Sequence, residues 1–166
     1  MIIAIQQHLK EVLINSSSIA EEMILIDTPD PNLARPWISI LPSKATLSPA
    51  WYWDNQYYES TPHGKFLVKI QRKYNIIQPI VINFEFIDKS ELDDIVHNFL
   101  VQLPKEFIIQ HSVISLSPIN LEYFFAKGVL GFNTAQLSLH ANYAIRSDNT
   151  DNTIIKDVTV NVTPSK

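Results

Sequence analysis

Histidines stand at His8, His63, His97, His111 and His140, and no two share the spacing by which a zinc-binding helix presents its ligands. Asp93 and His97 lie one turn apart on a run with helical periodicity, a spacing that either shares a metal or forms a wet helix face. The second reading is the simpler one. Gly128-Val129-Leu130-Gly131-Phe132-Asn133-Thr134 carries two glycines, but no lysine follows as a phosphate loop requires, and a dinucleotide turn needs a third glycine. A turn or strand irregularity explains them. No serine is flanked by glycines as a nucleophile elbow demands, and the chain has no cysteine. The acidic pairs Glu21-Glu22 and Asp93-Asp94 are adjacent residues, which point in different directions on a helix or strand. No catalytic, cofactor-binding or metal-ligating residue is therefore assigned, and the expectation is a protein that is not an enzyme.

The feature that folding explains least is Trp51-Tyr52-Trp53 followed by Tyr57-Tyr58. Large aromatics with polar tips are enriched at protein interfaces, so these five residues form a candidate partner interface. The alternative is that Trp51 and Trp53 turn inward and complete the domain's own core. Stacking on single-stranded nucleic acid requires basic neighbours, whereas Asp54 and Glu59 are the nearest charges in sequence. Lys69, Arg72 and Lys73 form a basic cluster further along, read as a solvated sheet face, as guards of an edge strand, or as a contact with an acidic partner.

Hydrophobic spacing supplies the elements that carry these residues. Ile2, Ile5, Leu9, Val12 and Leu13 predict a helix that ends at Ser16-Ser17-Ser18. A strand at Glu22–Ile26 and a rigid loop with Pro29 and Pro31 follow, then a strand at Trp37–Leu41. Ser43–His63 reads as irregular. Phe66, Val68, Ile70 and Tyr74 predict one strand and Ile80, Ile82, Phe84 and Phe86 the next, paired as an antiparallel hairpin. Asp88–Leu103 is the clearest helix: Leu92, Ile95, Val96, Phe99, Leu100 and Leu103 form a stripe, Asp88 caps it and Glu91 reaches back. Pro104 stops it. A strand at Phe107–Ile114, a turn at Ser117–Asn120, an ambiguous stretch at Leu121–Leu130 and a strand alternating through Leu137, Leu139, Ala141, Tyr143 and Ile145 come next. A polar loop at Ser147–Asn152 and a strand through Val158, Val160 and Val162 complete the chain. Strands with two segregated helices predict an α+β fold, an antiparallel or mixed sheet with both helices packed on one face.

Composition sets the bounds. The chain has 166 residues, 46% of them apolar, long enough for one sizeable core without disulfides or a structural metal. One domain spanning 1–166 is expected. A net charge of −4 argues against a protein that coats nucleic acid, although it leaves room for a local basic patch. Met1–His8 lacks the basic lead and apolar run of a secretory signal, and no window approaches the roughly 20 apolar residues of a membrane helix. A soluble protein made and used inside a cell, with no membrane partner, is the expectation.

In element order and in two local stretches the chain resembles the neck or tail terminator proteins of long-tailed bacteriophages. The first stretch is Pro29-Asp30-Pro31-Asn32-Leu33-Ala34-Arg35-Pro36-Trp37-Ile38-Ser39-Ile40, a proline-rich loop leading through Arg-Pro into a strand. The second is the alternating run Ala135-Gln136-Leu137-Ser138-Leu139-His140-Ala141-Asn142-Tyr143-Ala144-Ile145-Arg146. The aromatic insert at about 48–62 departs from the family pattern, as does the scarcity of glycine. The resemblance implies a structural virion protein, assembled in the host cytoplasm, that caps the tail tube as a ring, usually a hexamer, and forms a head–tail joining surface. Its partners would be itself, tube and sheath subunits and head connector proteins, with DNA passing through unread and no cofactor. The rivals are another tail component, such as a tube, sheath or connector subunit, and a small-molecule-binding domain.

Overall fold

The computed structural model describes residues 1–30, 32–61, 64–109, 112–125 and 131–151, with side chains except at 55–61, 64–66 and 148–151. Helix α1 spans Ile2–Ser16 and a 3₁₀ turn spans Glu21–Met23. Strands β1 (Ile24–Leu25), β2 (Trp37–Pro42), β3 (Thr46–Thr61) and β4 (Gly64–Phe86) follow, then helix α2 (Lys89–Gln102). Strands β5 (Glu106–Ile109), β6 (Ser112–Phe124) and β7 (Asn133–Asp151) come last. The seven strands form one sheet in the order β1-β2-β4-β7-β6-β5, and β3 pairs with β4 beside this path. The β1–β2 pair is parallel, whereas β2–β4, β5–β6 and β6–β7 are antiparallel. The fold is α+β with a mixed sheet.

Contacts divide the described residues into two compact units. One comprises Met1–Leu47 with Ile76–Tyr143, and the other Ser48–Asn75 with the described residues from Ala144 onward.

The first unit holds the apolar core. Ile5, Leu9 and Leu13 of α1 and Leu92, Ile95, Val96 and Phe99 of α2 join Ile38 and Ile40 of β2 in one buried cluster. The same cluster takes in alternate residues of β4 (Ile80, Ile82, Phe84, Phe86) and of β7 (Ala135, Leu137, Leu139, Ala141). Alternation on strands and three-to-four spacing on helices are what turn these side chains to one interior. Gln6 lies inside as well, although its side chain is polar. Its amide donates to the carbonyls of Ile26 at 3.0 Å and Ile40 at 2.8 Å, so the buried amide is satisfied.

The helix ends follow the expected chemistry. The hydroxyls of Ser16 and Ser17 donate to the Leu13 carbonyl at 3.3 and 2.7 Å, using up an acceptor at the end of α1. Asp88 caps α2 by accepting the Glu91 N–H at 2.9 Å.

Several element boundaries differ from expectation. The strand expected at Glu22–Ile26 is a 3₁₀ turn followed by the two residues of β1. The stretch read as irregular and aromatic is strand β3, as its Trp, Tyr and Thr content favours. The expected hairpin between 66–74 and 80–86 is one 23-residue strand. Burial falls on even positions at Val68, Ile76, Gln78, Ile80, Ile82, Phe84 and Phe86, and residues 74–79 contain none of the Asn-Gly or Gly-Gly pairs that reverse a chain.

The single strand expected at Phe107–Ile114 is instead the pair β5 and β6. The turn expected at Ser117–Asn120 is a register shift within β6 between Pro118 and Asn120, where proline supplies no ladder donor. The polar loop expected from Ser147 continues β7 as far as Asp151. Along β7 the inward phase changes after Ala141: Ala144 is buried and Ile145 is exposed, the reverse of the expected alternation. The strand through Val158, Val160 and Val162 lies outside the described residues, as do 126–130.

Candidate functional site: an aromatic and cationic strand pair

The second unit carries the aromatic residues singled out in the sequence. Strand alternation sends Trp51 and Trp53 to one face and Tyr52 and Asp54 to the other. Trp51, Tyr52 and Trp53 are 59%, 46% and 56% exposed, so the tryptophans do not complete this chain's own core. The side chains of Tyr57 and Tyr58 lie outside the described ones, although their backbone belongs to β3.

Each of the three aromatics meets a cation from β4. The Lys73 ammonium lies 5.0 Å from the Trp51 ring centroid and the Lys69 ammonium 5.7 Å from that of Trp53. The Arg72 guanidinium lies 5.3 Å from the Tyr52 ring. Contacts in reverse order along the two strands mean that β3 and β4 run antiparallel here. Tyr74 adds an edge-on contact to Trp51 at 5.9 Å. Such cation–π contacts contribute about 0.5–1 kcal/mol each at exposed sites. The basic cluster is thus half-buried against aromatic rings, and it is more than the solvated face the sequence suggested. Trp51 has a φ of +22°, a setting that costs a bulky L-residue on the order of 1–3 kcal/mol.

On the opposite face Asp54 is held between two arginines. Arg72 of β4 donates to its Oδ1 at 2.9 Å, and Arg146 of β7 donates to its Oδ2. Three strands are joined at one carboxylate. Burial pulls the Asp54 pKa up, but hydrogen bonds and positive charge from Arg146 and Arg72 outweigh it and hold the carboxyl below its usual value. The acid nearest the aromatics in sequence therefore faces away from the tryptophans and is neutralised by two guanidiniums.

This arrangement predicts a pH dependence. A depressed folded-state pKa adds stability that is fully present above the unfolded value, about 3.9, and is lost as pH falls through the folded one. The advantage of the native chain over Asp54→Asn in urea midpoint is expected to be largest near neutral pH. It is expected to shrink below about pH 4. A gap that stays constant down to the acid limit would show that the ionised carboxylate is not what joins the strands.

Proline tolerance is consistent with the place of β3. Pro49 lies within it, and proline is confined to edge strands, strand starts and bulges. Among the described residues β3 pairs with β4 alone, the place in a sheet where proline is tolerated.

Among the described residues no group of three or more His, Asp or Glu side chains could hold a metal ion. On α2 His97 is exposed and Asp93 half-buried, so the wet face the sequence suggested holds fully for His97 alone of that pair. Among the described residues no helix is long and apolar enough to cross a membrane. No protein-family model matches the chain, and no curated protein matches it.

Proposed function

We propose that the chain is a structural subunit of a long-tailed bacteriophage, the terminator that closes the tail tube as a ring and presents a joining surface toward the head. The observation that carries this reading is the exposed row of Trp51, Tyr52 and Trp53 on a strand that, among the described residues, is paired on one side only. Two exposed tryptophans side by side are costly for a chain that stays alone, and they are the residue type most often found at the energetic centre of an interface. An open edge adds main-chain hydrogen bonds to the area the rings bury.

The parts of the resemblance that the structure retains, an N-terminal helix, the Arg-Pro segment before β2, helix α2 and the late strand β7, support the same reading. The Arg-Pro segment has a structural counterpart: Arg35 pairs with Glu85 at 2.6 Å and lies over the Phe132 ring at 4.1 Å. Both helices covering one sheet face belongs to this proposal, supported by the single cluster that their buried residues share with β2, β4 and β7. So does a role without catalysis, in the virion neck, with tube, sheath and head connector subunits as neighbours and DNA passing through the ring unread.

The contact between copies must be heterologous, one patch against a different one, because only that arrangement closes into a ring larger than a dimer. Electron microscopy of the purified chain is expected to show discrete rings. Open-ended fibres would instead assign it to a tube or sheath role, and isolated monomers would contradict the reading.

A further inference from the structure

A heterologous contact needs a second surface, and the first unit offers one. Strand β5 ends the sheet order, pairing among the described residues with β6 alone. Beside it, α1 and Ile109 line an open groove of about 540 Å³ with Ile3, Ala4, Gln7, His8 and Glu11. The size falls within the range of built binding clefts. Ile3 is 65% exposed in this groove, and Ile108, on the opposite face of β5, is 72% exposed.

The chemistry of the groove complements that of β3. Its carboxylate, Glu11, is 71% exposed, opposite in charge to the Lys69 and Lys73 ammoniums beside the tryptophans. The His8 ring stacks on Phe107 at 4.0 Å, and its Nε2 is buried without a hydrogen-bond partner. The half-buried His8 ring and Ile3 give the groove a flat apolar wall, and Trp51 and Trp53 present large ring faces to lie against it. Alternate residues on a strand are about 6.8 Å apart, so both rings reach the same side of an added strand.

We infer that the groove between α1 and β5 receives the β3 edge of a second copy, with Trp51 and Trp53 laid against Ile3, Ile109 and His8 and Lys69 and Lys73 near Glu11. The inference rests on the ring reading and names the surface which that reading leaves open. Addition of β3 to β5 is edge-to-edge strand pairing, and the exposed Ile108 would then face Tyr52.

Mixing two one-sided variants tests it. Trp51→Ser/Trp53→Ser removes the donor row, and Ile3→Glu/Glu11→Lys blocks the groove through two exposed helix positions. Each variant alone is expected to sediment as a 19.0 kDa monomer with native circular dichroism. An equimolar mixture is expected to double that mass and go no further, because it retains one good junction between unlike chains. Groove variants that assemble like the native chain would overturn the groove while leaving the ring. Two monomeric variants that form no mixed dimer would overturn the pairing. A native chain that never assembles would overturn the ring reading itself.

Discussion

Under the proposed ring assembly, replacing Trp51 and Trp53 with serine is expected to leave monomers while keeping the thermal midpoint within a few degrees of the native one. The expectation follows from exposure. More than half of each tryptophan is in contact with water in the isolated chain, and substitutions at such positions usually change stability by no more than about 0.5 kcal/mol. The lost cation–π contacts with Lys73 and Lys69 add a comparable amount. Truncating a tryptophan at the centre of an interface commonly costs about 2 kcal/mol or more of binding. Two such losses per junction shift association by several powers of ten. Light scattering and a melting curve on the same sample separate the outcomes. A variant that melts far below the native chain would place both rings in a core, where large-to-small changes cost about 3–5 kcal/mol.

Phe84→Ala and Phe99→Ala are expected to have the largest effects on folding. Both side chains are fully buried, one on β4 and one on α2, with ring centroids 6.2 Å apart and planes tilted by 58°. Each truncation removes apolar area and leaves a cavity at the seam between helix and sheet, at a cost of about 3–5 kcal/mol. That is a large share of the total stability of a domain, about 5–15 kcal/mol. The double variant is expected to lose less than the sum of the two, because the aromatic pair contributes about 0.5–1.5 kcal/mol that is removed only once. Urea midpoints measure this directly. Losses below about 1 kcal/mol for either single variant would mean that helix and sheet do not depend on this contact.

Periodicity made the first unit legible. The stripe from Leu92 to Phe99 and the alternations through Ile80–Phe86 and Leu137–Ala141 all bury the side chains expected of them, and Asp88 caps the helix expected to follow it. The failures have local causes. The 23-residue β4 reads as two strands in sequence, because strands of five or six residues are the norm. The burial of Gln6 is not legible, because a sequence does not show that two carbonyls, from residues 26 and 40, await its amide.

Within the candidate site, the aromatic row was visible as residue types. Its partners were not visible, because pairing of β3 with β4 is what brings Lys73 to Trp51 and Lys69 to Trp53. Arg146 lies 92 residues from Asp54, and no local signal joins them. In sequence Asp54 is among the charges nearest the aromatics, whereas in the fold two guanidiniums neutralise it.

The claim that these residues serve assembly is tested most directly by the mass of the native particle in solution, measured by sedimentation equilibrium across a wide concentration range. The account predicts one closed species, about six times the 19.0 kDa chain mass for the usual terminator ring. A mass that stays at one chain up to the highest concentration would contradict it.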